Sequence, residues 1–169
     1  WRDLDLPAAY LDGDDARRVL STKPKHWLGY YEASLWSNLE SPREYVPADM
    51  TADQVREINA MTHIENELID EACQRVIDYL KAQNLYDQTD IFFTTDHGEL
   101  QGDYGLMFKG PYHVDALMRL PLIWKPGQEG GAPQVIDEPV GHVDLAPTFC
   151  AIAGIEPEQM DGAVLPTTA

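Results

Sequence analysis

The chemically richest stretch of the chain is Asp96-His97-Gly98-Glu99, which follows directly on the apolar run Ile91-Phe92-Phe93-Thr94-Thr95. A carboxylate beside an imidazole offers one hard oxygen donor and one nitrogen donor. That mixed set suits Zn, Mn or Fe and, less comfortably at the imidazole, Ca. The same two residues have a plainer use, in which Asp96 caps a turn and His97 hydrogen-bonds to backbone. Lys109 comes thirteen residues after Asp96, in a segment punctuated by Gly98, Gly102, Gly105 and Gly110. A lysine near a cation can pair with a substrate anion as a compact point charge and can protonate or stabilise a leaving oxygen. On an ordinary surface it is simply solvated.

These residues can act together only if regular elements hold them. The run from Asp90 to Thr95 is short, nearly continuous in apolar, β-branched and aromatic residues, and reads as a strand buried on both faces, the parallel-sheet type. Ligands in open α/β sheets bind beyond the carboxyl ends of strands, which is where Asp96 and His97 fall. Upstream, no Gly or Pro occurs between Thr51 and Gly98, and apolar residues recur at Val55, Ile58, Met61, Ile64, Leu68, Ala72, Val76 and Leu80. That periodicity predicts a long amphipathic helix, N-capped by Thr51 and ending near Gln83 or Asn84. A second buried strand is expected at Leu120-Pro121-Leu122-Ile123-Trp124, so the fold class is α/β.

The remaining segments carry less. Residues 1–50 hold seven aromatics and the breakers Pro7, Pro24, Pro42 and Pro47, which predicts an irregular segment with a short helix near Asp15 to Leu20. Trp27, Tyr30, Tyr31 and Trp36 are expected to pack on a neighbouring element in preference to lining a pocket. Residues 51–125 form the α/β part. Residues 126–169 open on a Pro/Gly/acid loop and then start a helix at Asp144-Leu145-Ala146-Pro147, closed by Gly154. Cys73 and Cys150 fall in apolar helical patterns and read as small buried thiols. His63, inside the long helix, and His142, before Asp144, read as structural.

The 29 Asp and Glu against 12 Lys and Arg, a formal net charge of −17, would repel a polyphosphate or an anionic membrane. An anionic substrate would then need a locally bound cation, the largest charge such a site can recruit. Alternatively the acidic excess is solvated surface. No apolar run reaches the roughly 18 residues of a membrane span, so a soluble protein, cytoplasmic or periplasmic, is expected. The chain begins at Trp1, which leaves targeting open.

The run TTDHGELQGDYGLMFKGPYHVDALMRLPLIWKPG, residues 94–127, resembles the C-terminal motif region of the sulfatase family in the alkaline phosphatase superfamily. HVDLAPTFCAIAGI, residues 142–155, with Met160-Asp161-Gly162 after it, is similar to the family segment that follows, and the helix preceding Asp90 also fits. Asp-His at the metal position resembles phosphonate monoester hydrolases and the arylsulfatases nearest them. The resemblance implies the C-terminal portion of an alkaline-phosphatase-like sheet sandwiched by helices. It implies Asp96 and His97 as metal ligands, with Ca or Mn as the divalent metal, and Lys109 as the catalytic residue that contacts the sulfate or phosphonate group and the leaving oxygen. His113 is a candidate for lining the substrate pocket, and Asp115 and Arg119 for tying the loop to the sheet.

Family members carry a C/S-x-P-x-R motif, whose Cys or Ser becomes a formylglycine nucleophile, in an N-terminal half together with further aspartate ligands. Here the cysteines stand in Cys-Gln-Arg-Val-Ile and Cys-Ala-Ile-Ala-Gly, and the motif is absent. The expectation is therefore a C-terminal fragment of a metal-dependent, arylsulfatase-like sulfuric-ester hydrolase, inactive alone and oligomeric when full length, acting on a small anionic ester. The alternatives are a phosphonate monoester or phosphodiester hydrolase of the same superfamily, or a metal- or anion-binding module without catalysis. The isolated chain is expected to bind a cation poorly.

Overall fold

A computed structural model describes residues 1–33, 46–127, 132–156 and 159–166. Trp36 lies outside the described residues, as does part of the loop expected from 126 to 139. The chain divides into two compact units, Trp1–Tyr86 with Phe93–Leu122, and Asp87–Phe92 with Ile123–Ala169, the division passing through two of the strands.

The first unit opens with α1 (Gly13–Leu20) and α2 (Lys25–Ala33). Acidic Asp14 and Asp15 at the start of α1 and basic Arg17 and Arg18 near its end complement the helix dipole. The segment is more regular than its prolines imply. Trp27, Tyr30 and Tyr31 are buried in a core with Ala16, Leu20, Leu100, Leu106, Tyr112 and Leu117, as packing aromatics. Trp27 meets Tyr112 edge-on, with ring centroids 4.8 Å apart, a geometry that aligns ring edge and face quadrupoles.

Helix α3 (Ala52–Ala82) has 31 residues. At its start, Thr51 Oγ1 accepts the Gln54 N–H and Gln54 Oε1 accepts the Thr51 N–H at 2.8 Å, a reciprocal cap that satisfies two otherwise orphaned donors. At its end, Asn84 turns left-handed (φ 56°). The Leu85 N–H then reaches Leu80 O at 2.8 Å and the Asn84 N–H reaches Lys81 O, which is the Schellman arrangement. Only Val55 and Asn59 of α3 are buried. Asn59 Nδ2 donates to Gln101 O at 3.2 Å, and Arg56 Nε to Leu4 O at 2.9 Å, so the first turns are tied to the unit. Beyond them the apolar stripe of Met61, Ile64, Leu68, Val76 and Tyr79 is exposed.

The strands are shorter than the sequence implies: β1 (Ile91–Thr94), β2 (Leu100–Gln101), β3 (Met107–Phe108) and β4 (Leu122–Lys125). β1 and β4 neighbour one another in one two-stranded sheet, and β2 pairs with β3 antiparallel in a second. The expectation of strands buried on both faces is corrected here: Phe93 is 41% and Ile123 61% exposed, because two strands alone have no layer covering each face. The four-residue helix α4 (Asp115–Met118) lies between β3 and β4 and sends Leu117 into the core.

In the second unit Phe92 stacks on Trp124 (5.1 Å, 18°) and meets Phe149 edge-on, while Trp124 Nε1 donates to Asp90 Oδ1 at 2.8 Å. Helix α5 (Leu145–Ile152) follows a turn in which the Asp144 carboxylate accepts the N–H groups of Gly141 and Ala163, each at 2.8 Å. Those bonds hold the Asp144 carboxyl below the usual carboxylate range. Cys73 and Cys150 are free thiols that are only half-buried, a correction to the buried reading.

Candidate functional site

Strand β1 ends at Thr94, and the next residues fold into a tight loop around the Thr95 hydroxyl. Thr95 Oγ1 lies 3.0 Å from His97 O and 3.3 Å from Asp96 Oδ1. The His97 N–H donates to Asp96 Oδ1 at 3.0 Å. The loop then presses against α4: the Gly98 N–H donates to Leu117 O at 3.0 Å, and a Cβ at Gly98 would collide with the Ala116 carbonyl. Glycine is thus required there by close approach, and the approach anchors the loop to a core-bearing turn.

The plainer use of the two residues is present on one set of atoms. Asp96 Oδ1 closes the turn, and His97 Nδ1 lies 2.9 Å from Gly98 O. A carbonyl oxygen only accepts, so this contact assigns the proton to Nδ1 and leaves the lone pair on Nε2. The other atoms of both side chains remain available. His97 Nε2 stands 3.5 Å from Asp96 Oδ2. Two acceptors that converge in this way are reconciled by a second proton on the imidazole or by a cation shared between them. Ligands ~2.1–2.4 Å from one ion at angles between a right angle and the tetrahedral value stand ~3.0–3.9 Å apart, so the spacing fits a shared cation. The Nδ1 bond to a backbone carbonyl is also the usual way in which a ligating imidazole is oriented. The Asp96 carboxyl is held below its usual range by the His97 N–H and by the charge His97 can carry.

The donor set stops at two. Among the described residues no group of three or more His, Cys, Asp or Glu side chains is placed to hold a metal ion. The pair fits a divalent cation as part of a larger set.

Lys109 leaves the β2–β3 hairpin. The register pairs Leu100 with Phe108 and Gln101 with Met107, so the hairpin returns the chain toward the end at which it left the Asp96-His97 loop. Lys109 is exposed, and among the described residues no hydrogen bond or ion pair joins it to Asp96 or His97. His113 is exposed beside the buried Tyr112 and is not brought to the pair. Asp115 and Arg119 are exposed and form no ion pair with each other. The Arg119 N–H closes on the Asp115 carbonyl at 2.9 Å, a backbone bond within the turn of α4. His63 and His142 are exposed, on α3 and on the 3-10 turn His142–Asp144.

Gly98 is one of the glycines the sequence marks in this segment, whereas Thr95 at the site and the left-handed Phe108 beside Lys109 were not singled out by sequence. A hydroxyl directly before an Asp was a readable sign of a side-chain-bonded turn at Thr95. Phe108, left-handed at φ 64°, carried no such sign.

A family model described as Sulfatase matches residues 33–155. Among curated proteins, the uncharacterized sulfatase YidJ of Escherichia coli (strain K12) is 32% identical over 151 residues, which are 89% of this chain and 27% of that protein. The multifunctional alkaline phosphatase superfamily protein PehA of Trinickia caryophylli is 36% identical over 169 residues, covering 98% of this chain and 32% of its own length. The N-acetylglucosamine-6-O-sulfatase of Bacteroides thetaiotaomicron is 33% identical over 103 residues, 57% of this chain and 17% of that enzyme. Among solved structures, BT4656 in complex with its substrate D-glucosamine-2-N,6-O-disulfate aligns with a TM-score of 0.52 at 22% identity, covering 95% of this chain and 41% of that one. The chain therefore spans about a third or less of these curated relatives.

Proposed function

Because the chain belongs to the sulfatase family, we propose that it is the C-terminal portion of a metal-dependent sulfuric-ester hydrolase in which Asp96 and His97 are two ligands of one divalent cation and Lys109 binds the ester's anionic group. The observation that carries this reading is the convergence of His97 Nε2 and Asp96 Oδ2 at 3.5 Å, with the opposite face of each side chain fixed by backbone. A divalent cation such as Ca or Mn would supply positive charge for the oxygens of a sulfate ester, and a formylglycine nucleophile is expected from the part of the enzyme outside this chain.

The chain's own residues then have distinct tasks. Asp96, with its carboxyl biased toward the ionised form, brings negative charge to the cation and keeps Oδ1 occupied by the His97 N–H. His97 contributes a neutral nitrogen whose direction is set by Gly98 O. Lys109 offers an ammonium to the nonbridging and leaving oxygens, where charge grows as the S–O bond breaks, and can deliver a proton to the leaving oxygen. The exposed apolar stripe on α3 and the exposed Phe93 and Ile123 support the fragment reading, since an amphipathic helix or a strand pair in a complete domain buries such faces.

A second reading, phosphonate monoester or phosphodiester hydrolysis, draws only weak support from PehA, whose name is that of a multifunctional alkaline phosphatase superfamily protein. Assaying the full-length protein side by side with 4-nitrophenyl sulfate, phenylphosphonate and a 4-nitrophenyl phosphodiester, with and without chelator, separates the two. Chelator-sensitive turnover greatest on the sulfate supports the first reading, and a far higher phosphodiester or phosphonate rate replaces it with the second. Cation binding without turnover of any ester would leave a binding module.

A further inference from the structure

We propose that Tyr30 and the left-handed backbone of Phe108 are positioning elements for Lys109, clamping the residue that the preceding reading makes the anion-binding cation. This inference rests on that reading and adds to it the device that aims the ammonium. Lys109 is exposed, yet the backbone on both sides of it is fastened to the buried core. On its N-terminal side, Tyr30, 3% exposed and 77 residues distant in sequence, donates its hydroxyl to Met107 O at 2.8 Å. Met107 is itself buried and pairs with Gln101 across the hairpin. On the C-terminal side, the Tyr112 N–H donates to Gly110 O at 2.8 Å, and Gly110 lies so near the Tyr112 ring that a Cβ would stand 2.6 Å from Cε2. The Tyr112 ring is locked against Trp27 and Tyr30.

Between these anchors Phe108 takes φ 64°, a conformation that a bulky L-residue adopts only when its surroundings impose it. The reversal at Phe108 ends β3 and sets the direction in which the next residue leaves the hairpin. Tyr112 is suited to hold the arrangement as a neutral group. Burial and the neighbouring Tyr30 push the Tyr112 hydroxyl far above its ordinary value, so it carries no charge that would compete for the ammonium. A long flexible side chain mounted on a fixed backbone loses less freedom on meeting an anion, and misplacement of such a group by about 1 Å can cost up to about a hundredfold in rate.

The test uses the full-length enzyme and steady-state kinetics on 4-nitrophenyl sulfate for Tyr30→Phe, Phe108→Val, Phe108→Gly, Lys109→Ala and the Tyr30→Phe/Lys109→Ala double variant, each checked for folding by near-UV circular dichroism. Valine resists positive φ and glycine does not, while both remove the phenyl ring. The expected result is a fall in kcat/KM of about tenfold or more for Tyr30→Phe and Phe108→Val, recovery to within about threefold of wild type for Phe108→Gly, and no further loss when Tyr30→Phe is added to Lys109→Ala. Wild-type rates for Tyr30→Phe and for both Phe108 variants, beside a deeply impaired Lys109→Ala, overturn the clamp and leave the functional reading standing. So does a Tyr30→Phe loss that simply multiplies that of Lys109→Ala. If Phe108→Val does not fold, Tyr30→Phe alone and in the Lys109→Ala background decides. A folded wild type without turnover on sulfate esters removes the functional reading, and the clamp with it.

Discussion

His97 Nε2 and Asp96 Oδ2 face one another at 3.5 Å, while Nδ1 of the same imidazole and Oδ1 of the same carboxylate are both spent on backbone, at Gly98 O and at the His97 N–H. Each side chain is thus held by one polar atom and free at the other. The relationship gives two adjacent residues a shared focus held by the backbone around them, and it makes the effect of each neighbouring change predictable.

Lys109→Ala in the full-length protein should lower kcat on a sulfate ester by about a hundredfold or more, the scale of losing one charge-stabilising donor. Metal content by elemental analysis should stay at the wild-type level, because Asp96 and His97 are untouched. Loss of metal together with turnover would place Lys109 in a structural role.

Calorimetric titration of the 169-residue chain with Mn²⁺ or Ca²⁺ should reveal weak binding, because two donors make an incomplete set. Tight stoichiometric binding by this chain would mean that the two residues, with whatever joins them here, already complete the site.

Gly98→Ala should destabilise the first unit by about 1–3 kcal/mol, since a methyl there overlaps the Ala116 carbonyl and the loop has to shift away from α4. Denaturant unfolding measures the loss. Unchanged stability would show that the loop gives way freely, and with it the fixed geometry of Asp96 and His97.

The second unit should lose stability in acid through Asp144. Its carboxyl is held below the usual range by the Ala163 and Gly141 N–H groups, so its contribution is present above the unfolded value near pH ~3.9 and is lost as pH falls through the lower folded value. Hydrogen exchange across residues 141–165 should therefore accelerate as pH drops from about 5 to 2, after correction for the intrinsic rate. Asp144→Asn should already exchange faster at neutral pH and lose that step. An unchanged profile in the variant would contradict the assignment.

Local signals in the sequence translated well into structure. Thr51 and Gln54 mark the start of α3 through bonds three residues apart, and the absence of Gly and Pro carries the helix to its turn at Asn84. Asp96 and His97 were legible because they are adjacent and follow an apolar strand. What stayed hidden was non-local. Phe93 and Ile123 have the composition of strands covered on both faces, yet they are exposed here, since composition records what a strand is suited to pack against and not what is beside it. The Tyr30 bond to Met107 spans 77 residues and has no period or motif to announce it, and a positive φ at Phe108 arises from packing against residue preference.

The central claim, that Asp96 and His97 share one cation, is tested most directly by an anomalous difference map collected at the manganese edge from crystals of the full-length protein grown with Mn²⁺. The account predicts a peak within about 2.5 Å of both Asp96 Oδ2 and His97 Nε2. A peak bound elsewhere in the protein, with these two atoms still facing each other and no metal between them, would contradict it.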